Sequence, residues 1–180
     1  MNAADTATSN AQFLGYDVIN RNLQERVFAA GSGLNFGKYI GSEALGIILG
    51  QYVGDGNELN FVNGNPNATN MTLWHVGMMA LAKDVSLLPS GGGTLKEAML
   101  RPAFLEALKA VSAWPDESAR DEKTLLKFWL AVMSYDAPES EFIAWRDFFK
   151  SSELSGADRA AAVEGMMSTI LLNPYFLLRK

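Results

Sequence analysis

Apolar residues recur at helical spacing through the second half of the chain, and each run follows a residue suited to opening a helix. Leu125, Leu126, Trp129, Val132 and Met133 form one such stripe; Phe142, Trp145, Phe148 and Phe149 form the next; Val163, Met166, Met167, Ile170 and Leu171 form the last. Ser118 to Asp121 is a weak cap before the first of these. Pro138 with Glu139 and Glu141 suits the first turn of the second, because proline needs no amide partner there and acids favour the positive end of the helix dipole. Ser155 and Asp158 open the third helix, which should stop before Pro174. Upstream, Thr94-Leu95-Lys96-Glu97 has the form of a capping box and predicts a short helix starting at Thr94. Pro102 then either breaks the pattern near Arg101 or serves as the first residue of a new turn.

The first half has a different texture, rich in Gly and Asn and poor in charge up to about Ser86. Tyr16, Ile19, Leu23 and Val27 define an amphipathic helix from about Ala11 to Ala29, ended by Gly31-Ser32-Gly33. Residues 38–53 read as a helix by length and apolar content, although Gly41, Gly46 and Gly50 lie inside it at about 1 kcal/mol each relative to Ala. Gly46, Gly50 and Gly54 recur every fourth residue, a spacing that lets a neighbouring backbone approach closely. Residues 55–70 hold Asn57, Asn60, Asn63, Asn65, Asn67 and Asn70 among Gly and Pro, the composition of a long ordered loop with a short hairpin near Asn63-Gly64. A helix from about Asn70 to Asp84 follows. Pro89-Ser90-Gly91-Gly92-Gly93 then reads as a flexible connector and the internal boundary that the sequence suggests.

These elements predict an all-α fold, a single-domain helical bundle of about six to eight helices over residues 11–180, with a long Asn/Gly-rich loop and a disordered or extended tail over residues 1–10. Trp74, Trp129, Trp145, Phe142 and Met166 are expected in the core.

Composition then removes several function classes. The chain of 180 residues is 48% hydrophobic and 19% charged, the balance of a globular protein. A net charge of −5 with no basic run argues against a nucleic-acid partner, whose phosphates need clustered Lys and Arg. With no cysteine, disulfides, thiolate metal sites and Cys nucleophiles are excluded. The longest strongly apolar stretch, 44–50, is too short for a transmembrane helix. The polar start, Asn2 to Asn10, lacks the basic and apolar regions of a signal peptide and resembles the mature end of an exported protein. A plain cytoplasmic tail would have the same composition.

Candidate chemistry is sparse. His75 is the single histidine, and Met71, Met78 and Met79 lie at helical spacing from it, offering nitrogen and thioether ligands to copper or haem iron. The alternative is that Met71, Trp74, Met78 and Leu81 form a core stripe. Asp55-Gly56-Asn57-Glu58 and Asn60 present hard oxygens that suit calcium, but the spacing departs from an EF-hand and turn chemistry explains the same residues. The segment Gly31 to Lys38 is no P-loop, since Ser32 takes the place of its first Gly and Tyr39 that of its Ser or Thr. Glu43 sits in the apolar, glycine-rich segment, where burial would raise its pKa and solvent exposure would not. Asn67-Ala68-Thr69 and Asn70-Met71-Thr72 match the glycosylation acceptor pattern, which is common by chance.

From Leu125 to Arg179 the order is an aromatic helix, Pro138-Glu139-Ser140-Glu141, Ala144-Trp145-Arg146-Asp147-Phe148-Phe149, Asp158 to Val163, and Leu171-Leu172-Asn173-Pro174-Tyr175-Phe176-Leu177-Leu178-Arg179. This resembles the helical domains of unknown function that accompany cytochrome c domains in large secreted bacterial proteins. Leu178 departs from that pattern, where an aromatic often precedes the Arg. The resemblance implies a periplasmic or extracellular setting and lends no catalytic residue. Tyr175 to Leu178 are too apolar for a free tail, so they should dock on the helical core or mark an interface.

The expectation is therefore an exported bacterial helical module, non-enzymatic, that binds a protein partner or a neighbouring domain. The alternative is a small-ligand or metal-binding protein whose site is built from Asn60, Asn65, Trp74, His75 and Glu43.

Overall fold

The computed structural model describes residues 12–13, 16–41, 68–133, 137–151 and 158–179. A two-residue strand β1 (Gln12–Phe13) leads into helix α1 (Tyr16–Arg26), and a single turn, α2 (Gly37–Ile40), follows. The longest described helix, α3 (Ala68–Leu87), has 3₁₀ turns at Leu88–Ser90 and Glu97–Met99 after it. Then come α4 (Pro102–Val111), α5 (Glu117–Arg120), α6 (Glu122–Val132), α7 (Glu139–Ser151) and α8 (Arg159–Leu171). The chain closes with α9 (Pro174–Leu177) and β2 (Leu178–Arg179), which pairs antiparallel with β1. The fold is all-α, with this strand pair beside the helices, and α1, α3, α4, α6, α7 and α8 are the long helices among the described residues.

Helix α8 packs along α3, and α4 packs on α6. Between them lies a continuous aromatic cluster. The Trp145 ring is 5.5 Å from Trp129, 5.0 Å from Phe149 and 6.3 Å from Phe128, while Phe104 reaches Phe128 at 6.2 Å. The offset and edge-on geometries suit the ring quadrupoles and add to what burial contributes. All five expected core residues, Trp74, Trp129, Trp145, Phe142 and Met166, are buried, as is the predicted stripe of the last long helix from Val163 to Leu171.

Several local readings change. The Thr94 capping box does not open a helix: Lys96 is extended and the next turn spans only Glu97–Met99. The Thr94 backbone N–H, which a capping box would offer to Glu97, goes instead to the Asp84 carboxylate, and the Thr94 hydroxyl donates there too. Pro102 is the first residue of α4. Asp121, not Ser118, caps α6 by accepting from the Lys123 amide at 3.0 Å, and Asp158 caps α8 by accepting from Ala161 at 2.8 Å. Phe148 leaves the expected buried stripe of α7 and is 55% exposed, because it lies one position short of Phe149 around the helix.

The helix expected over 38–53 is broken at Gly41, whose φ of 85° takes the backbone out of the helical region after Ile40. Gly46, Gly50, Gly54 and residues 55–67 of the expected Asn-rich loop lie outside the described residues, as does the expected N-terminal tail, while the last three residues of that loop, Ala68 to Asn70, already form the first turn of α3. A glycine does permit close packing, but it is Gly77 on α3: a Cβ added there would stand 2.7 Å from the ring of the fully buried Phe36.

At the C-terminus the docking alternative holds for Phe176, which is 2% exposed and whose carbonyl accepts from the Asn22 side chain at 3.1 Å. A second tie joins the end of α1 to the approach to α4. The Ala29 amide donates to Met99 and the Arg101 amide to Val27, while the Arg101 side chain donates to the Gln24 carbonyl at 2.8 Å.

Candidate functional site

Helix α3 carries Leu81, Ala82 and Val85 on its buried face, with Asp84 among them, only 9% exposed. An ionised carboxylate in such a place requires donors. Thr94 supplies two, its backbone N–H and its hydroxyl, each at 2.6 Å. The Tyr39 hydroxyl donates at 3.2 Å, and the Lys38 ammonium stands 3.8 Å away while also donating to the Thr94 hydroxyl oxygen at 2.6 Å. Burial alone would raise the Asp84 pKa. The Thr94 side-chain and backbone hydrogen bonds, the Tyr39 hydroxyl and the Lys38 charge outweigh burial and hold the carboxyl below its ordinary value. Tyr39 moves the other way: burial, then the charge of Asp84 and the hydrogen bond to it, push its pKa well above normal.

Chemically, this cluster is a clamp. Both carboxylate oxygens are engaged and the phenol keeps its proton, so no free base is poised here. Its work is to bind α2 and the Gly91 to Gly93 return to α3. That return is folded into hydrogen-bonded turns, with the Gly91 amide on Leu88 and the Gly92 amide on Leu87.

The candidates from the sequence divide among different places. Glu43, Asn60 and Asn65 lie outside the described residues, as do Asp55 to Glu58. Trp74 and Met78 are buried, Met79 is half-buried and His75 is exposed. Helix α3 thus turns His75 to solvent while Met78 enters the core, and the two do not form one accessible ligand set. The side chain of Met71 is outside the description. Among the described residues no three His, Asp or Glu side chains gather as a metal cage. Sequence reasoning missed Tyr39, Asp84 and Thr94, although an acid on a buried helical stripe is itself a signal that donors must come from elsewhere.

Two surface features remain. A cleft of about 290 Å³ opens between the Leu88–Ser90 turn, Glu97, the second half of α4 and Arg159 at the start of α8. The other is an apolar strip on the antiparallel pair α6 and α7. Glu122 pairs with Arg146 at 3.1 Å, and Trp129 meets Phe142 at 6.0 Å, so the residue numbers run in opposite directions along the two helices. One turn along from that ion pair, Leu126 on α6 and Ile143 on α7 therefore come level, with Leu130 a further turn on. They are 38%, 39% and 40% exposed. No described helix is long and apolar enough to cross a membrane.

No family model, curated protein or solved structure matches the chain.

Proposed function

We propose that the chain is an exported bacterial helical module that holds a protein partner or a neighbouring domain and performs no catalysis of its own. The strip of Leu126, Leu130 and Ile143 carries this reading. Apolar side chains on successive helical turns, backed by a rigid aromatic core and edged by the Glu122–Arg146 pair, match the layout of an interface with an apolar centre and a charged rim. Their backbone is already ordered, so binding costs less conformational entropy than it would for a loop. The exported setting is supported by the resemblance of residues 125–179 to domains of secreted proteins.

The test compares the wild type with a Leu126→Glu, Leu130→Glu double variant. Co-purification from the native source identifies candidates, and reconstitution with each purified candidate gives a Kd. The expected result is a partner whose affinity falls by about tenfold or more in the double variant while its helical content is unchanged. Equal affinity of both proteins for every reconstituted partner overturns the reading. Fractionation of the producing cells checks export independently.

A further inference from the structure

The cleft beside Arg159 is a different surface from the α6–α7 strip and does not depend on it. Leu88, Pro89, Leu105 and Leu108 supply its apolar walls. Two cations reach its rim from separate helices, Lys109 from α4 and Arg159 from α8. Lys109 is already neutralised by Glu97 at 2.9 Å. Arg159 has no ion-pair partner among the described residues, and the neighbouring Asp158 is committed to capping α8. In a chain of net charge −5, this leaves one cation uncompensated among the described residues, over an apolar hollow.

We propose that this cleft binds a small monocarboxylic acid with a compact apolar body, the carboxylate on Arg159 and the body against Leu88, Leu105 and Leu108. The guanidinium presents a planar fork that matches a carboxylate in bidentate fashion. A phosphate dianion fits less well, because the one free cation among the described residues leaves it half compensated and the Glu97 carboxylate stands on the same rim. A wholly apolar ligand would desolvate Arg159 without replacing its water hydrogen bonds. The volume of about 290 Å³ lies at the small end of ligand sites, which limits the body to roughly an aromatic ring or a medium alkyl chain.

Octanoate and phenylacetate, each beside its neutral amide, are the probes, titrated at low salt by calorimetry and by backbone amide NMR. Saturable binding of an acid, with shifts at Leu88, Leu105, Leu108 and Ala113, is the expected result. The amide should bind about tenfold more weakly, Arg159→Gln should lose a similar factor, and Arg159→Lys should recover part of it. Added salt should weaken the acid and leave the amide unchanged. Acid and amide binding alike, shifts confined to other surfaces, or no saturation by either acid overturns the proposal. The acid-to-amide comparison is made on the wild type, so it decides the matter whatever Arg159→Gln does to folding.

Discussion

Thr94 donates both its backbone N–H and its hydroxyl to the carboxylate of Asp84, at 2.6 Å each, ten residues back along the chain. This one relationship explains why the segment after the glycines is not a helix start and why the return from α3 to α4 has a definite path. The Thr94 backbone N–H cannot serve both Asp84 and the Glu97 carboxylate of a capping box. The buried Asp84 takes it because leaving that carboxylate short of donors costs more than leaving the exposed Glu97 side chain to water.

Replacing Asp84 with Asn keeps the volume but puts an amide among donors. Either orientation sets an N–H₂ group against Thr94, Tyr39 or Lys38. Loss of about 1–3 kcal/mol is expected, read as the change in urea-unfolding free energy at neutral pH. A change within a few tenths would show that the clamp contributes nothing net.

The same carboxylate makes stability depend on acid in a known direction. Its folded pKa lies below its unfolded value of about 4, so the unfolded chain binds the proton first. The contribution is complete above that unfolded value and is lost as pH falls through the folded pKa. The gap between wild type and Asp84→Asn should therefore hold constant from neutrality to about pH 5 and narrow below about pH 4. Unfolding titrations at several pH values measure it.

Tyr39 should resist alkali. With its pKa raised by burial and by Asp84, its phenol stays protonated after exposed tyrosines have ionised. Absorbance near 295 nm, followed upward in pH, should show a late-titrating step that Tyr39→Phe removes.

Gly91 and Gly93 separate two causes of glycine use. Both have positive φ, 74° and 78°, but a Cβ at Gly91 meets open space while one at Gly93 collides with the Asp84 carboxylate. Gly91→Ala should cost about 1 kcal/mol through backbone strain alone. Gly93→Ala should cost roughly 3 kcal/mol because it also displaces the clamp. Equal costs in thermal unfolding would rule out the collision.

Phe176 anchors the C-terminal segment to α1 through its buried ring and its carbonyl. Phe176→Ala should destabilise the fold by about 3–5 kcal/mol, a fall in Tm of roughly 10 °C. A drop of a degree or two would mean that the ring contributes little to the core.

The second half was legible because its signals are local. Helical spacing and caps placed α6, α7 and α8 and most of their buried faces, down to Met166 and Ile170, since a helix needs only nearby residues to form and one apolar stripe to bury; Leu126, counted in the α6 stripe, is exposed. Even there, Phe148 and Phe149 are adjacent aromatics that periodicity treats alike, and packing alone buried one and exposed the other. The first half was less legible because glycine is read by spacing while its role is set by φ and by neighbours. Gly41 ends a helix it was expected to lie inside, and Gly77, which no periodic pattern marks, is seated tightly against the Phe36 ring. The candidate ligand residues met the same limit: His75 and Met78 share a helix, yet a rotation of 60° about its axis places one in water and the other in the core.

Patterning along the chain thus determined an all-α protein, its core aromatics and the onset of most late helices, because those follow from short-range geometry and apolar burial. The clamp of Lys38, Tyr39, Asp84 and Thr94, the Arg159 cleft and the level strip of Leu126 and Ile143 depend on residues far apart in sequence. Their chemistry arises from which helix faces meet, and that is decided only when the helices pack.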